Sequence, residues 1–240
     1  MPATPAEVLA AMLRSDPGRP RVTFYEDTPG ATRGERIELS AKVLANWVSK
    51  AANALQEEWD LAPGSRVRLA LPPHWRSLYW ALAVWSVGAT VVLDDADADL
   101  VVTDDPARAT PAPTPSVLVT LAALTRGAAG SVPAGVMDEA KELATYADQF
   151  SPWDEPAPSD LAVVGAGADA AYESVVPQGN WAPGSRVHTA AESLSSVLAT
   201  ALGAWSVDGS LVLSRGPEPE GGRAARLASE GVTVEAQPLP

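Results

Sequence analysis

The sequence predicts an α/β protein built on a duplicated strand–helix–strand unit. Three observations carry that prediction. First, the stretch 62–93 recurs without a gap at 182–213, shifted by 120 positions. Ala-Pro-Gly-Ser-Arg-Val repeats whole, Trp85-Ser86-Val87 returns as Trp205-Ser206-Val207, and Ala70, Leu78, Ala81, Leu82, Val92 and Leu93 all match their counterparts. Second, each copy reads as a short apolar strand, a helix and another short strand with tight connections. That order implies a right-handed crossover between parallel strands. Third, 240 residues with 46% hydrophobic and 20% charged content suffice for a sizeable core. Two copies with long insertions fit a duplicated unit and not a solenoid, which stacks several short repeats.

The elements follow in order. Val8, Leu9, Met12 and Leu13 stand at helical spacing behind Thr4, a suitable N-cap, and Asp16-Pro17-Gly18 stops that helix. Arg21–Tyr25 and Arg36–Leu39 read as strands around a Pro/Gly loop. Ser40 caps an amphipathic helix to about Trp59, apolar through Leu44, Trp47, Val48, Ala51 and Leu55. The first unit comprises strand Arg66–Leu71, helix Trp75–Val87 and strand Ala89–Leu93, with Gly88 at the left-handed helix cap. Its helix is apolar on more than one side, the mark of a helix buried between layers. Leu100–Thr103 and Val117–Leu121 suggest further strands, Asp138–Phe150 a helix, and the proline-bearing Ser151–Ser159 a linker. Strand Leu161–Val164 precedes the second unit, which comprises strand Arg186–Thr189, helix Leu194–Val207 and strand Ser210–Leu213. Arg223–Glu230 and Val232–Glu235 complete a further helix and strand. The expected organisation is one domain, 1–240, with pseudo-repeat halves of about 1–155 and 156–240.

Composition removes several function classes. A net charge of −13 with scattered arginines opposes nucleic-acid binding. Zero cysteines exclude disulfides, thiolate chemistry and cysteine metal sites. Met1–Leu13 lacks the basic and apolar regions of a signal peptide, and no apolar run is long enough for a membrane span. A cytoplasmic protein without membrane association is expected.

The residues Glu38-Leu39-Ser40, Ala51–Leu55, Pro63-Gly64-Ser65-Arg66-Val67, Leu71-Pro72 and Ala83–Ala89 resemble, in order and spacing, the early core of the adenylate-forming superfamily. That superfamily comprises acyl-CoA synthetases, luciferases and nonribosomal-peptide adenylation domains. The resemblance covers residues 20–105 well and 160–215 loosely. It implies two related, mostly parallel sheets with helices packed between and outside them. The paired helices Trp75–Val87 and Leu194–Val207 should then meet in the middle layer. It also implies a phosphate loop rich in Ser, Thr and Gly, ending near a Lys, after Leu161–Val164. Here that segment is Gly165-Ala166-Gly167-Ala168-Asp169-Ala170-Ala171-Tyr172-Glu173, without serine, threonine or lysine and with two added carboxylates. The later family motifs and the mobile C-terminal domain have no room in 240 residues. The chain therefore resembles a truncated, degenerate relative.

Candidate sites are few. Gly165 and Gly167 formally match a dinucleotide fingerprint, but Pro177 leaves no long helix for a pyrophosphate, and a structural turn is the favoured reading. His74, Trp75 and Arg76 stand where open α/β sheets bind ligands and could grip an anion or planar group. A capping loop is the favoured alternative. His188 reads as structural. The acidic turn Asp94–Asp99 lacks a calcium-loop register. No catalytic residue and no metal site are assigned, and ATP or AMP is disfavoured as cofactor. The leading expectation is a non-catalytic protein that keeps the fold for ligand binding or assembly. The alternative is a residual nucleotide- or acyl-binding enzyme using the cleft between the halves. Surplus tryptophans leave a homodimer or another protein as partner, and the cleft leaves a small-molecule ligand.

Overall fold

The computed structural model describes residues 4–178, 181–190, 192–217 and 222–236. Part of the connection Pro177–Trp181, and Ala191 in the second unit, lie outside the described residues. In chain order the elements are α1 (Pro5–Ser15), β1 (Pro20–Glu26), β2 (Arg36–Ser40), α2 (Ala41–Trp59), β3 (Arg66–Ala70), α3 (Trp75–Ser86), β4 (Thr90–Val92), β5 (Leu100–Thr103), β6 (Ser116–Leu118), β7 (Met137–Asp138), α4 (Glu139–Glu142), β8 (Leu161–Val164), β9 (Ala170–Ala171), β10 (Arg186–Thr189), α5 (Leu194–Ser206), β11 (Ser210–Arg215), α6 (Arg223–Ser229) and β12 (Val234–Glu235). They form two sheets. Sheet A has the order β12-β10-β11-β1-β2, and sheet B the order β7-β6-β5-β3-β4-β8-β9. All pairings are parallel except β1 with β2 and β8 with β9. Each sheet draws strands from both sides of residue 155.

The same skeleton recurs in the two sheets. Arg66 pairs with Thr90 between β3 and β4, and Arg186 with Ser210 between β10 and β11, the same register at the same offset. The entry turns match: Ser65 N–H donates to Ala62 O at 3.0 Å and Ser185 N–H to Ala182 O at 3.1 Å. The helix exits match too, with Gly88 at φ 79° and Asp208 at φ 58°. Each unit then adds a third parallel strand and an antiparallel edge, β8 and β9 in one case, β1 and β2 in the other. An equivalent tryptophan ties each third strand down. Trp85 Nε1 donates to Ala162 O at 2.7 Å, and Trp205 Nε1 to Arg21 O at 3.0 Å.

The helices between the sheets bury what the sequence marks as apolar. From Trp75 to Trp85 every residue of α3 is buried. It packs against α1, α2 and α5 as well as β3, β4 and β1, so it touches both sheets. Thr4 caps α1 through a reciprocal bond with Glu7, and Ser40 accepts from Val43 N–H at 3.3 Å to start α2. Phe24 of β1 faces this layer, in edge contact with His74. No helix among the described residues is long and apolar enough to cross a membrane.

The helix expected over Asp138–Phe150 is shortened to α4 and one 3-10 turn, Leu143–Thr145. The cause lies in α2. Lys50 Nζ donates to the carbonyls of Ala144 and Tyr146, Asn53 Nδ2 to those of Ala147 and Gln149, and Gln56 Nε2 to that of Ser151. These side chains recur every three residues along one face of α2. They satisfy carbonyls that a continuing helix would have satisfied itself.

On the other face of sheet A, α6 is attached differently. It buries no side chain. Its cap residue Glu230 accepts from Tyr25, Arg36 and Arg186, and Arg226 pairs with Asp27 at 2.6 Å.

Two outcomes are expected. Trp85→Phe and Trp205→Phe should each lower stability by about 1–3 kcal/mol in urea unfolding, because each strands a buried carbonyl. A loss below about 0.5 kcal/mol, within ordinary surface variation, would show that the indoles do not tie the third strands. Burial tends to raise the Glu230 pKa, but hydrogen bonds from Arg36, Tyr25 and Arg186 outweigh it and hold the value at about 2. A depressed carboxylate stabilises the fold above its unfolded pKa. That contribution is lost as pH falls from about 4.5 toward 2. The stability difference between the parent and Glu230→Gln should therefore be full at pH 7 and shrink across that window. A difference independent of pH would contradict this assignment.

Candidate functional site

A cleft opens at the C-terminal ends of β3, β4, β5 and β8, facing the start of α5. It has two connected parts. The inner part, about 560 Å³, is lined mainly by Trp85, Val163, Val175, Leu198 and Leu202. The outer part, about 730 Å³, lies over Pro72 and Pro73 and carries Asp94, Asp95, Asp104, Asp105 and Glu192 against Arg68 and Arg108. Leu93, Ala166, Ser193 and Ser195 border both. Open parallel sheets bind ligands in the crevice outside the carboxyl ends of their strands.

The turn after β8 forms part of the wall. Gly165, Ala166 and Gly167 have φ of 89°, 52° and 73°. A side chain at 165 would meet Asp94, since a Cβ there would lie 2.6 Å from Asp94 Cγ. Successive backbone N–H groups in a turn can form a concave anion cradle. Here a carboxylate of the chain itself engages it: Asp169 Oδ1 accepts from Gly165 N–H at 2.7 Å. Ala168 N–H closes the turn on Gly165 O at 3.0 Å. Burial raises the pKa of nearby Asp104, partly opposed by Arg215.

His74, Trp75 and Arg76 are brought together, but away from this cleft. All three are buried at the start of α3. His74 is the N-cap: Nδ1 accepts from Arg76 N–H at 3.2 Å, while its own N–H donates to Ser77 Oγ at 3.1 Å. Burial first, then the charges of Arg76 and Arg215, hold its pKa well below the usual histidine value. Arg76 lies 4.4 Å over the Trp75 ring and pairs with Glu139 Oε1 at 2.7 Å. Tyr79 donates its hydroxyl to the same oxygen. Burial raises the Glu139 pKa, with Arg76 and Tyr79 opposing it. The neutral capping role fits this geometry, and the candidate ligand grip does not line the opening. His188 is buried in β10 with Nε2 3.1 Å from Ser214 Oγ.

The acidic turn is tied up by the chain. Asp95 pairs with Arg68, Asp99 Oδ2 accepts from Arg66 N–H at 2.8 Å, and Asp94 Oδ1 accepts from Ala96 N–H at 3.1 Å. Among the described residues no three His, Asp or Glu side chains converge as metal ligands. Sequence reasoning missed Ser193, Ser195 and Ser196 at the start of α5, and Glu139 as the partner of Arg76. The second had a signal, because an arginine inside an apolar helix demands a counter-charge.

No known protein-family profile matches the chain. A Mycobacterium tuberculosis (strain ATCC 25618 / H37Rv) protein described as "TIGR03089 family protein" is 40% identical over 159 residues, 63% of this chain and 63% of that one. Among solved structures, an acyl-CoA synthetase of Brucella canis superposes with a TM-score of 0.72 at 16% identity, over 97% of this chain and 47% of that one. The N-terminal domain of FACL13 from Mycobacterium tuberculosis gives 0.70 at 14%, over 97% and 62%. An artificially fused adenylation–PCP di-domain from Klebsiella oxytoca gives 0.70 at 14%, over 98% and 44%. The chain spans less than two thirds of each of these proteins. Its fold is that of the N-terminal domains of adenylation domains and acyl-CoA synthetases.

Arg76→Met should cost about 3–5 kcal/mol, since it leaves Glu139 buried without its counter-charge. The double variant Arg76→Met/Glu139→Gln should recover part of that in guanidinium unfolding. His74→Asn, which keeps an N-cap acceptor, should cost far less than the Arg76 change. A larger loss for His74→Asn would mean that the imidazole does more than cap.

Proposed function

We propose that this chain uses the fold of an adenylate-forming enzyme's N-terminal domain without adenylation chemistry, as a non-catalytic cytoplasmic scaffold for binding or assembly. The observation carrying this reading is the turn after β8. At the place where the resemblance implies a phosphate loop, Gly165 N–H is taken by Asp169, and Asp94 packs against Gly165. Residues 165–173 supply no serine, threonine or lysine. The carboxylates of Asp94 and Asp169 are exposed, so solvent screens them, and their sign still opposes a bound phosphate. A nucleotide triphosphate therefore meets a cleft wall of its own sign.

Isothermal titration with ATP and magnesium tests the reading. The expected result is no binding up to roughly millimolar ligand, where the binding free energy is only about −4 kcal/mol. Micromolar binding, or acyl-dependent pyrophosphate exchange, would overturn it.

A second reading has its own observation. The inner cleft is lined by Val163, Val175, Leu198 and Leu202 and suits an apolar chain. A residual acyl-binding role predicts thermal stabilisation by acyl-CoAs or fatty acids, removed by Ala199→Trp. Stabilisation that survives this filling of the cleft would place the ligand elsewhere.

A further inference from the structure

Away from the cleft, the outer face of sheet A carries a cluster of donors converging on one carboxylate. Glu230 Oε1 accepts from the Tyr25 hydroxyl at 2.5 Å and from Arg36 Nε at 2.9 Å, and Oε2 accepts from Arg186 Nη2 at 2.5 Å. These donors come from β1, β2 and β10, which the sheet holds in register without help from α6. Each is also positioned by the sheet itself. Arg186 Nη2 donates to Thr23 Oγ1 at 2.8 Å and its Nη1 to Ser210 Oγ at 3.2 Å. Arg36 Nη2 donates to Glu38 at 2.7 Å, and Arg36 Nε also reaches the Tyr25 hydroxyl at 3.1 Å.

The carboxylate they share is held by an element attached through polar contacts and not through a buried apolar face. The helix α6 buries no side chain, and polar contacts tie it to the sheet: Arg226 pairs with Asp27, reaches Ser214 Oγ at 3.4 Å and lies 4.1 Å over the Tyr25 ring, and Arg223 pairs with Glu235. A chain of net charge −13 thus places Arg36, Arg186 and Arg226 around one patch. Planar guanidinium groups bind carboxylate and phosphate oxygens with good geometry.

We propose that Tyr25, Arg36 and Arg186 form an oxyanion-binding site on sheet A, which Glu230 fills as an internal ligand. An external carboxylate or phosphate group competes with Glu230, and its binding releases α6 from the sheet. The two occupants exclude each other because they use the same three donors. The inference is independent of the cleft and stands whether or not the cleft binds nucleotide.

The test uses the full chain with orthophosphate and, separately, acetate as probes, each compared with sodium chloride at equal ionic strength. Glu230→Gln keeps the side-chain shape and removes the competing charge. It should bind at least one of the two probes about tenfold or more tighter than the parent. That equals about 1.4 kcal/mol. Adding Arg186→Ala should abolish the gain. In the unaltered chain, the same probe should speed amide hydrogen exchange within Arg226–Ser229 beyond the chloride control. This second measurement needs no variant to fold. Glu230→Gln binding neither probe more tightly than the parent would overturn the proposal. So would a gain that survives Arg186→Ala, or exchange equal in probe and chloride.

Discussion

The structure depends on how a fully buried arginine joins the start of the chain to its far end. Arg21 has no exposed side-chain surface. Its guanidinium donates to the carbonyls of Asp208 and Gly209 at 2.8 and 3.0 Å and to Asp208 Oδ1 at 2.6 Å. Arg19 and Ser15 add bonds to the other oxygen of Asp208. Partial burial would raise the Asp208 pKa, yet these donors lower it. A buried cation without this partner set would cost several kilocalories per mole. Through it α1, β1 and the turn before β11 form one assembly, and β1 takes its place beside β11 in sheet A.

Comparing the two units shows why the arginine sits where it does. The tryptophan of the first unit reaches Ala162, and that of the second reaches Arg21. The helix exit of the first unit is Gly88, where a Cβ would lie 2.8 Å from Pro63 Cγ. In the second unit the same exit is Asp208. One copy therefore fills the junction with small residues and prolines, and the other with an ion pair. The shared skeleton tolerates both because backbone hydrogen bonds, not these side chains, set its register.

Much of the local architecture was legible in the sequence because it rests on nearby residues. The Thr4 and Ser40 caps, the strand at Leu161–Val164 and the helix from Trp75 all follow from spacing and capping chemistry. The layered arrangement came through the family resemblance, and it agrees with the fold. What stayed hidden depends on partners distant in sequence. The loss of helix after Leu143 requires Lys50, Asn53 and Gln56. The burial of His74 requires Phe24, and the tolerance of Arg76 inside α3 requires Glu139. At the candidate cleft, the turn at Gly165–Gly167 was legible as a turn. Its closure by Asp169 was not, because a carboxylate four residues away can face solvent or fold back equally well.

The placement of β1 also bears on how the chain acquires its shape during synthesis. Sheet B has all its strands once Ala171 has emerged, whereas β1 lacks its parallel neighbour until β11 is made. Val22 and Phe24, fully buried in the finished protein, belong in that interval to a two-strand ribbon open at both edges. Such ribbons are marginal alone, and their edges recruit other chains. The nascent protein thus spends the time needed to translate some 170 residues with the β1 edge unguarded. The same long-range pairing that closes the molecule at the end makes it vulnerable on the ribosome.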